Sequence, residues 1–293
     1  MLNPKSIKEK IICIYGPTAS SKSKLGVTVA QEIGGVIINA DSMQVYKEMP
    51  ILTSQPKDQR KSTVKHNLYG IVSPISNFSV GDWLKLAVDQ VNNVKKQGLC
   101  PILVGGTGLY FSNLIKGIAK IPNITQATKG KIEGLIKGLN SSELHKLLTK
   151  YDAELAKKLP PGDKARILRG LEVIVQTSKS ILKWQKDNTI FFDRKEFFNI
   201  YLRPPKEMVY ANINQRFLKM IDEGVENEVR NVLTKYDDQR LPKVIGLSTM
   251  KEYILGKKDF DTMVSDVQKL TRNYAKRQYT WFNNQLDHDL VLI

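Results

Sequence analysis

Cysteine is close to absent from this chain: its 293 residues include two, Cys13 and Cys100, each inside an apolar run. Two such thiols form neither a disulfide framework nor a zinc-ligand spacing, and a free cysteine among aliphatics behaves as a small hydrophobe. Long apolar runs are missing too. No stretch approaches the ~18 residues that span a bilayer. After the charged segment Met1 to Lys10, the run Ile11 to Tyr15 is too short for the core of a signal peptide. A cytoplasmic protein with no membrane contact is the expectation. Repeats and low-complexity tracts are absent. Acidic residues are in short supply, 29 against 45 lysines and arginines, which leaves a net charge of +16. A field of that sign concentrates polyanions. Nucleic acid is the first candidate partner and an anionic membrane surface the second, with scattered surface lysines as the bland alternative.

What is present reads as a folded protein, 41% hydrophobic and 25% charged, long enough for one domain with a large insertion or for two. Ile11–Tyr15, Val36–Ala40 and Pro101–Val104 are short apolar runs without alternation, as in strands buried on both faces of a parallel sheet. Helical spacing joins Leu25, Val29 and Ile33, and again Leu84, Val88, Val91 and Val94. Strands alternating with helices predict an α/β fold. From about 114 to 159 strand signals give way to short helical patterns bearing Lys129, Lys131, Lys137, Lys146 and Lys150, which reads as a basic helical insertion. A helix over 163–176, a strand over 197–202 and mostly helix from Glu207 to Trp281 complete the chain.

Three constellations carry chemistry. Gly16 to Ser23 lies between the first strand and the first helix and follows the phosphate-loop spacing, except that Ser21 replaces its second glycine. In such a loop backbone N–H groups converge on an anion, Lys22 supplies a point charge and the Ser23 hydroxyl can hold Mg²⁺. A serine-rich turn is the plain alternative. Asp41 ends the second strand, at the sheet edge where ligands bind in open α/β folds, although an aspartate there also caps turns. Gly105-Gly106-Thr107-Gly108 brings a hydroxyl to the same rim. Last, Lys269, Arg272 and Lys276 share a helical face in a segment interleaved with Tyr274, Tyr279 and Trp281. That mixture suits phosphate contact and base stacking, and equally an amphipathic helix with aromatics in the core.

Together these stretches resemble the tRNA dimethylallyltransferase family, also called tRNA isopentenyltransferase or IPP transferase. The resemblance rests on Gly16–Ser23, Asp41–Tyr46, Gly105–Tyr110, Arg166–Val173 and Thr271–Trp281, in order over nearly the whole chain. Ser21 and Gly170 depart from the family pattern, which has glycine and alanine there.

The resemblance implies a P-loop NTPase-like parallel core, residues 1–115 and 160–293, with a helical insertion over 116–159 that contacts the tRNA anticodon stem. It implies transfer of a dimethylallyl group from dimethylallyl diphosphate to N6 of the adenosine just 3′ of the anticodon (position 37), in tRNAs reading codons that begin with U. Asp41 would act as base with Thr107 beside it. Gly16, Thr18, Ala19, Ser20, Ser21, Lys22, Ser23 and Arg216 would hold the diphosphate, with Mg²⁺ at Ser23. The tRNA would meet Asp41, Ser42, Met43, Gln44 and Thr107, then Ala165, Arg166, Ile167, Leu168 and Arg169, then Arg272, Lys276 and Arg277. A monomer is the expected state. Two rival readings remain: a small-molecule kinase using the loop for ATP and Asp41 as base for a hydroxyl, and a non-catalytic RNA-binding protein whose loop Ser21 disables.

Overall fold

The computed structural model describes residues 7–57 and 63–293. Strand β1 (Ile11–Tyr15) is buried at every position, as an unbroken aliphatic run requires. Helix α1 (Lys22–Ile33) ends on Gly34, which adopts φ 70° and donates its N–H to Ala30 O; the left-handed cap lets β2 (Gly35–Asn39) begin at the next residue. The two-residue strand β3 (His66–Asn67) precedes α2 (Val80–Lys96), whose start is fixed by a reciprocal Ser79–Asp82 capping box. Strand β4 (Cys100–Gly105) and helix α3 (Gly108–Lys116) close this first segment. Cys13 and Cys100 are buried and unpaired.

Residues 116–191 form a compact unit of their own. A short antiparallel ribbon, β5 (Ile118–Ala119) with β6 (Asn188–Thr189), joins its two ends. Between them run α4 (Gln126–Ile136), α5 (Ser141–Tyr151), α6 (Ala153–Ala156), α7 (Lys164–Thr177) and α8 (Ile181–Trp184). The expected return to the core at residue 160 falls too early. Helix α7 buries Ile167 and Leu171 against Ile132, Leu144, Leu148 and Leu155, so it belongs to the insertion, and the boundary lies at 191/192. Gly170 has a reason within this packing, because a Cβ there would come 2.4 Å from Leu155 Cδ2. Lys129, Lys131, Lys137, Lys146 and Lys150 lie on this unit, and all five are exposed.

The chain then resumes with β7 (Phe197–Leu202), α9 (Lys206–Asp222), α10 (Val225–Lys235), α11 (Leu247–Ile254), the 26-residue α12 (Phe260–Gln285) and β8 (Leu290–Leu292). Six strands make one parallel sheet in the order β3-β2-β4-β1-β7-β8. The two edge strands have no counterpart in the sequence pattern, since two and three residues leave no readable run. The loops after β1, β2 and β4 leave the same edge of three neighbouring strands. No helix among the described residues is long and apolar enough to cross a membrane.

Candidate active site

The loop after β1 is shaped for an anion. Ser21 caps α1 at φ 66°, ψ 19°, with no side-chain cap bond, and its carbonyl accepts from the Lys24 and Leu25 amides. The amides of Lys22 and Ser23 therefore have no acceptor within the helix. The Ser20 hydroxyl is buried without a partner. Gly16 must be glycine, because a Cβ there would meet Leu202 O at 2.2 Å.

Two cations converge on this loop. Lys22 Nζ folds back to donate to Pro17 O at 2.5 Å. Burial lowers its pKa to about 8, with Asp41 opposing the shift and Arg216 adding to it. Arg216, on α9, donates to Thr18 Oγ1 at 2.9 Å. Burial lowers it to about 10, again against Asp41, so both remain cationic at neutral pH. One turn earlier on α9, Asn212 donates to Ala19 O at 3.2 Å.

Asp41 is held by its own neighbourhood. Its N–H donates to Asn39 Oδ1 at 2.9 Å, and Asn39 Nδ2 donates back to Asp41 O at 3.0 Å. Carboxylate Oδ1 accepts from Met43 N at 3.0 Å. The other oxygen, Oδ2, lies over Gly106, where a Cβ would come within 3.2 Å of it. The resemblance sets Thr107 beside Asp41 as its support. The Thr107 hydroxyl accepts from Ser42 N at 2.8 Å and donates to Ser42 Oγ at 3.1 Å, so it fixes the residue after the carboxylate. Gln44 is likewise engaged, donating to Thr53 O and Ser54 O at 2.9 and 2.8 Å.

Helix α12 contributes two residues that lie within the Thr271–Trp281 motif but were not among the expected site residues. Gln278, buried, accepts from Thr18 N at 2.8 Å and donates to Gly106 O at 2.8 Å. One amide thus ties the phosphate loop to the Gly105–Gly108 loop. A signal for it exists, because Ala275, Gln278, Tyr279 and Phe282 form one buried stripe with a polar member. Tyr274 lines the site; burial and the Asp41 charge push its phenol up, and hydrogen bonds to Thr107 and Gln278 pull the other way. Of the expected RNA contacts on this helix, Lys276 and Arg277 are exposed. Arg272 is partly buried and donates to Asn214 Oδ1 at 2.6 Å, which sets it apart from the exposed Lys269 and Lys276.

Thr18, Asp41, Gln44, Arg216 and Tyr274 line one cleft together with Leu52, Ile213, Phe217, Met220, Ile245 and Val267. Four of these apolar residues, Leu52, Phe217, Met220 and Val267, belong to one buried cluster. The cleft therefore joins a carboxylate and a guanidinium to a continuous apolar wall.

In the 116–191 unit Ala165, Arg166 and Arg169 are exposed, with Arg166 3.5 Å from Asp163 and Arg169 3.2 Å from Glu172. Ile167 is fully buried and Leu168 packs beside it. The Ile167 side chain faces the core of the unit, as the apolar stripe of an amphipathic helix does, while Leu168 is partly buried.

Against known proteins, the model of the IPP transferase family matches residues 44–285. The tRNA dimethylallyltransferase of Ehrlichia canis (strain Jake) is 41% identical over 281 residues, covering 94% of this chain and 92% of that one. The solved tRNA delta(2)-isopentenylpyrophosphate transferase of Staphylococcus epidermidis aligns with a TM-score of 0.65 and 30% identity, over 96% of this chain and 92% of its own. A eukaryotic dimethylallyltransferase acting on tRNA reaches a TM-score of 0.80 at 24% identity, over 93% of this chain and 69% of that one, a likeness of fold. With a family match across most of its length and a relative this similar, the chain belongs to the IPP transferase family.

Proposed function

We propose that this enzyme is a tRNA dimethylallyltransferase, moving a dimethylallyl group from its diphosphate to N6 of the adenosine 3′ of the anticodon. The observation that carries this reading is the single cleft in which Asp41 and Arg216 share an apolar wall. A prenyl diphosphate needs both cation and wall. A kinase acting on a small hydroxylated acceptor needs only the former.

The reaction forms a bond between N6 and C1 of the prenyl group and breaks C1–O, with the diphosphate leaving with the electron pair. An adenine amine is a weak nucleophile because its lone pair is delocalised into the ring. The Asp41 carboxylate takes the N6 proton as attack proceeds. Thr107 and Asn39 hold the backbone on either side of Asp41 through Ser42 and the Asp41 peptide itself. Charge gathering on the diphosphate meets Lys22, Arg216 and the open amides at the start of α1. The Ser23 hydroxyl, on the first turn of α1 beside Lys22, is a hard oxygen donor suited to Mg²⁺. A bound Mg²⁺ there would neutralise part of the diphosphate charge. The adenine must leave the RNA stack to reach the cleft, at a cost of a few kcal/mol. Ser42 and Met43 at the rim, Arg166 and Arg169, and Lys276 and Arg277 offset that cost on this reading, and the basic insertion grips the anticodon stem through phosphates.

The test mixes purified protein, Mg²⁺, unmodified tRNA and labelled dimethylallyl diphosphate. Label is expected on the adenosine beside the anticodon, and Asp41→Ala should slow transfer by about 10²–10⁴-fold while tRNA affinity holds. Normal transfer by that variant would remove Asp41 as the base, and ATP turnover in place of labelling would favour the kinase.

A further inference from the structure

Glu228, on α10, is a carboxylate set against an otherwise apolar region. Its helix neighbours Val225, Val229 and Val232 are buried in the same cluster as Leu52 and Met220. Burial pushes its pKa up, and no salt bridge to it occurs among the described residues. Each of its oxygens does one thing. Oε2 accepts from Ile51 N at 2.8 Å and Oε1 from Leu52 N at 2.8 Å.

Those two amides open a tight turn. Thr53 N donates to Met49 O at 3.1 Å, Gln55 N to Pro50 O at 2.9 Å and Ser54 N to Ile51 O at 2.9 Å. Within the turn the amides of residues 51 and 52 have no acceptor, just as the first amides of a helix have none, and Glu228 supplies it from another element. The far end of the turn is tied as well, since the Thr53 and Ser54 carbonyls both accept from Gln44 Nε2. Gln44 N in turn donates to Asp41 O at 3.2 Å. A connected series therefore runs from Glu228 through the turn to the Asp41 loop, and Leu52, Thr53, Ser54 and Gln44 all line the cleft.

We infer that Glu228 is a positioning residue for prenyl-chain selectivity: by holding the Ile51 and Leu52 amides it sets where the Leu52 side chain stands in the apolar wall, and so which chain length the cleft accepts. The inference rests on the transferase reading for the identity of the donor. A turn held at one end only lets Leu52 withdraw, and a wall that withdraws favours a ten-carbon chain relative to a five-carbon one. A single methylene more or less in an apolar pocket is worth about 10–200-fold in discrimination, so a shift in the wall is measurable.

The experiment is calorimetric binding of the non-hydrolysable thiolodiphosphates of dimethylallyl and geranyl alcohols, with inorganic diphosphate as reference, to wild type, Glu228→Gln and Glu228→Ala. Wild type should prefer the shorter chain by at least about tenfold, Glu228→Ala should narrow that ratio by about tenfold, and Glu228→Gln, which keeps one acceptor, by about threefold. Inorganic diphosphate should bind all three alike, since Lys22 and Arg216 are untouched. A lower melting temperature with an unchanged chain-length ratio would overturn the inference and leave Glu228 a structural clamp. If Glu228→Ala does not fold, the ratio is measured on Glu228→Gln alone, where an unchanged value again overturns it. Binding is independent of turnover, so a wild type that shows the predicted ratios yet transfers nothing to tRNA would sink the proposed function and not the role of Glu228.

Discussion

Two loops at the rim of the sheet meet the same demand, a backbone that passes close to something, in different ways. In the loop after β4 the demand is space. A Cβ at Gly105 would lie 2.0 Å from Ala40 O, one at Gly106 2.4 Å from Gln278 Nε2, and one at Gly108 2.1 Å from Trp281 Cε3. In the loop after β1, Gly16 is also a matter of space, but position 21 is not. Ser21 is exposed and makes no side-chain cap bond, and its peculiarity is a left-handed backbone at φ 66°. A space requirement is close to absolute, whereas a conformational preference is worth about 1–2 kcal/mol. That difference explains how this chain keeps every glycine of one motif and lacks one from the other, and it argues against the reading in which Ser21 disables the loop.

The largest effect should therefore come from the β4 loop. Gly105→Ala sets a methyl against the backbone of Ala40, which no rotamer change relieves. We expect a loss of about 3 kcal/mol or more, read as a fall in melting temperature or as insoluble protein. A stable Gly105→Ala variant would erase the distinction between the loops.

Next comes the tie between them. Gln278→Ala leaves the Thr18 N–H and the Gly106 carbonyl without their partner, and an unsatisfied buried group costs about 1–3 kcal/mol. Since the lost contact positions the phosphate loop, KM for the prenyl diphosphate should rise more than kcat falls. The reverse pattern would mean that Gln278 serves the acceptor side.

The cation at the end of the β1 loop offers a pH test. Burial lowers the Lys22 pKa, to about 8, so most of its charge is present at pH 7 and is lost as pH rises through that value. Affinity for dimethylallyl thiolodiphosphate should be nearly flat up to about pH 7.5 and then weaken by up to about tenfold per unit, the limit for one linked proton. Lys22→Arg should remove the bend. A profile that stays flat to about pH 9.5 in the wild type would show that Lys22 does not carry the anion.

The same contrast separates what was legible in the sequence from what was not. β1, β2, β4 and β7 could be read because each is an apolar run bounded by turn residues, and the phosphate loop because its spacing between strand and helix is a local pattern. Asp41 followed from the rule that ligands sit at strand ends. The edge strands β3 and β8 escaped notice because their pairing, not their composition, makes them strands. The insertion boundary was misplaced because α7 looks alike whichever unit it packs on, and only the burial of Ile167 and Leu171 against α4 and α5 decides. Glu228, and the part Gln278 plays although it lies in the Thr271–Trp281 motif, were missed for a related reason. Each acts on a backbone far away in the chain, 260 residues off for Gln278 with Thr18 and 177 for Glu228 with Ile51, and no local pattern records such a partnership.

Ser21→Gly is the smallest predicted effect and the sharpest test of the comparison. Removing the Cβ relieves about 1–2 kcal/mol of left-handed strain, but glycine also loses more freedom on folding, which returns roughly 0.5–1 kcal/mol. The net gain should be about 1 kcal/mol or less, a rise of roughly 2–4 °C in melting temperature at most. Because the Ser21 side chain is exposed and makes no cap bond, diphosphate affinity should change by less than about threefold, which is below about 1 kcal/mol. A hundredfold gain in affinity would place the Ser21 Cβ in the path of the phosphate. Position 21 would then be a space requirement like Gly105, and the difference between the two loops would be one of history in this chain, not of physics.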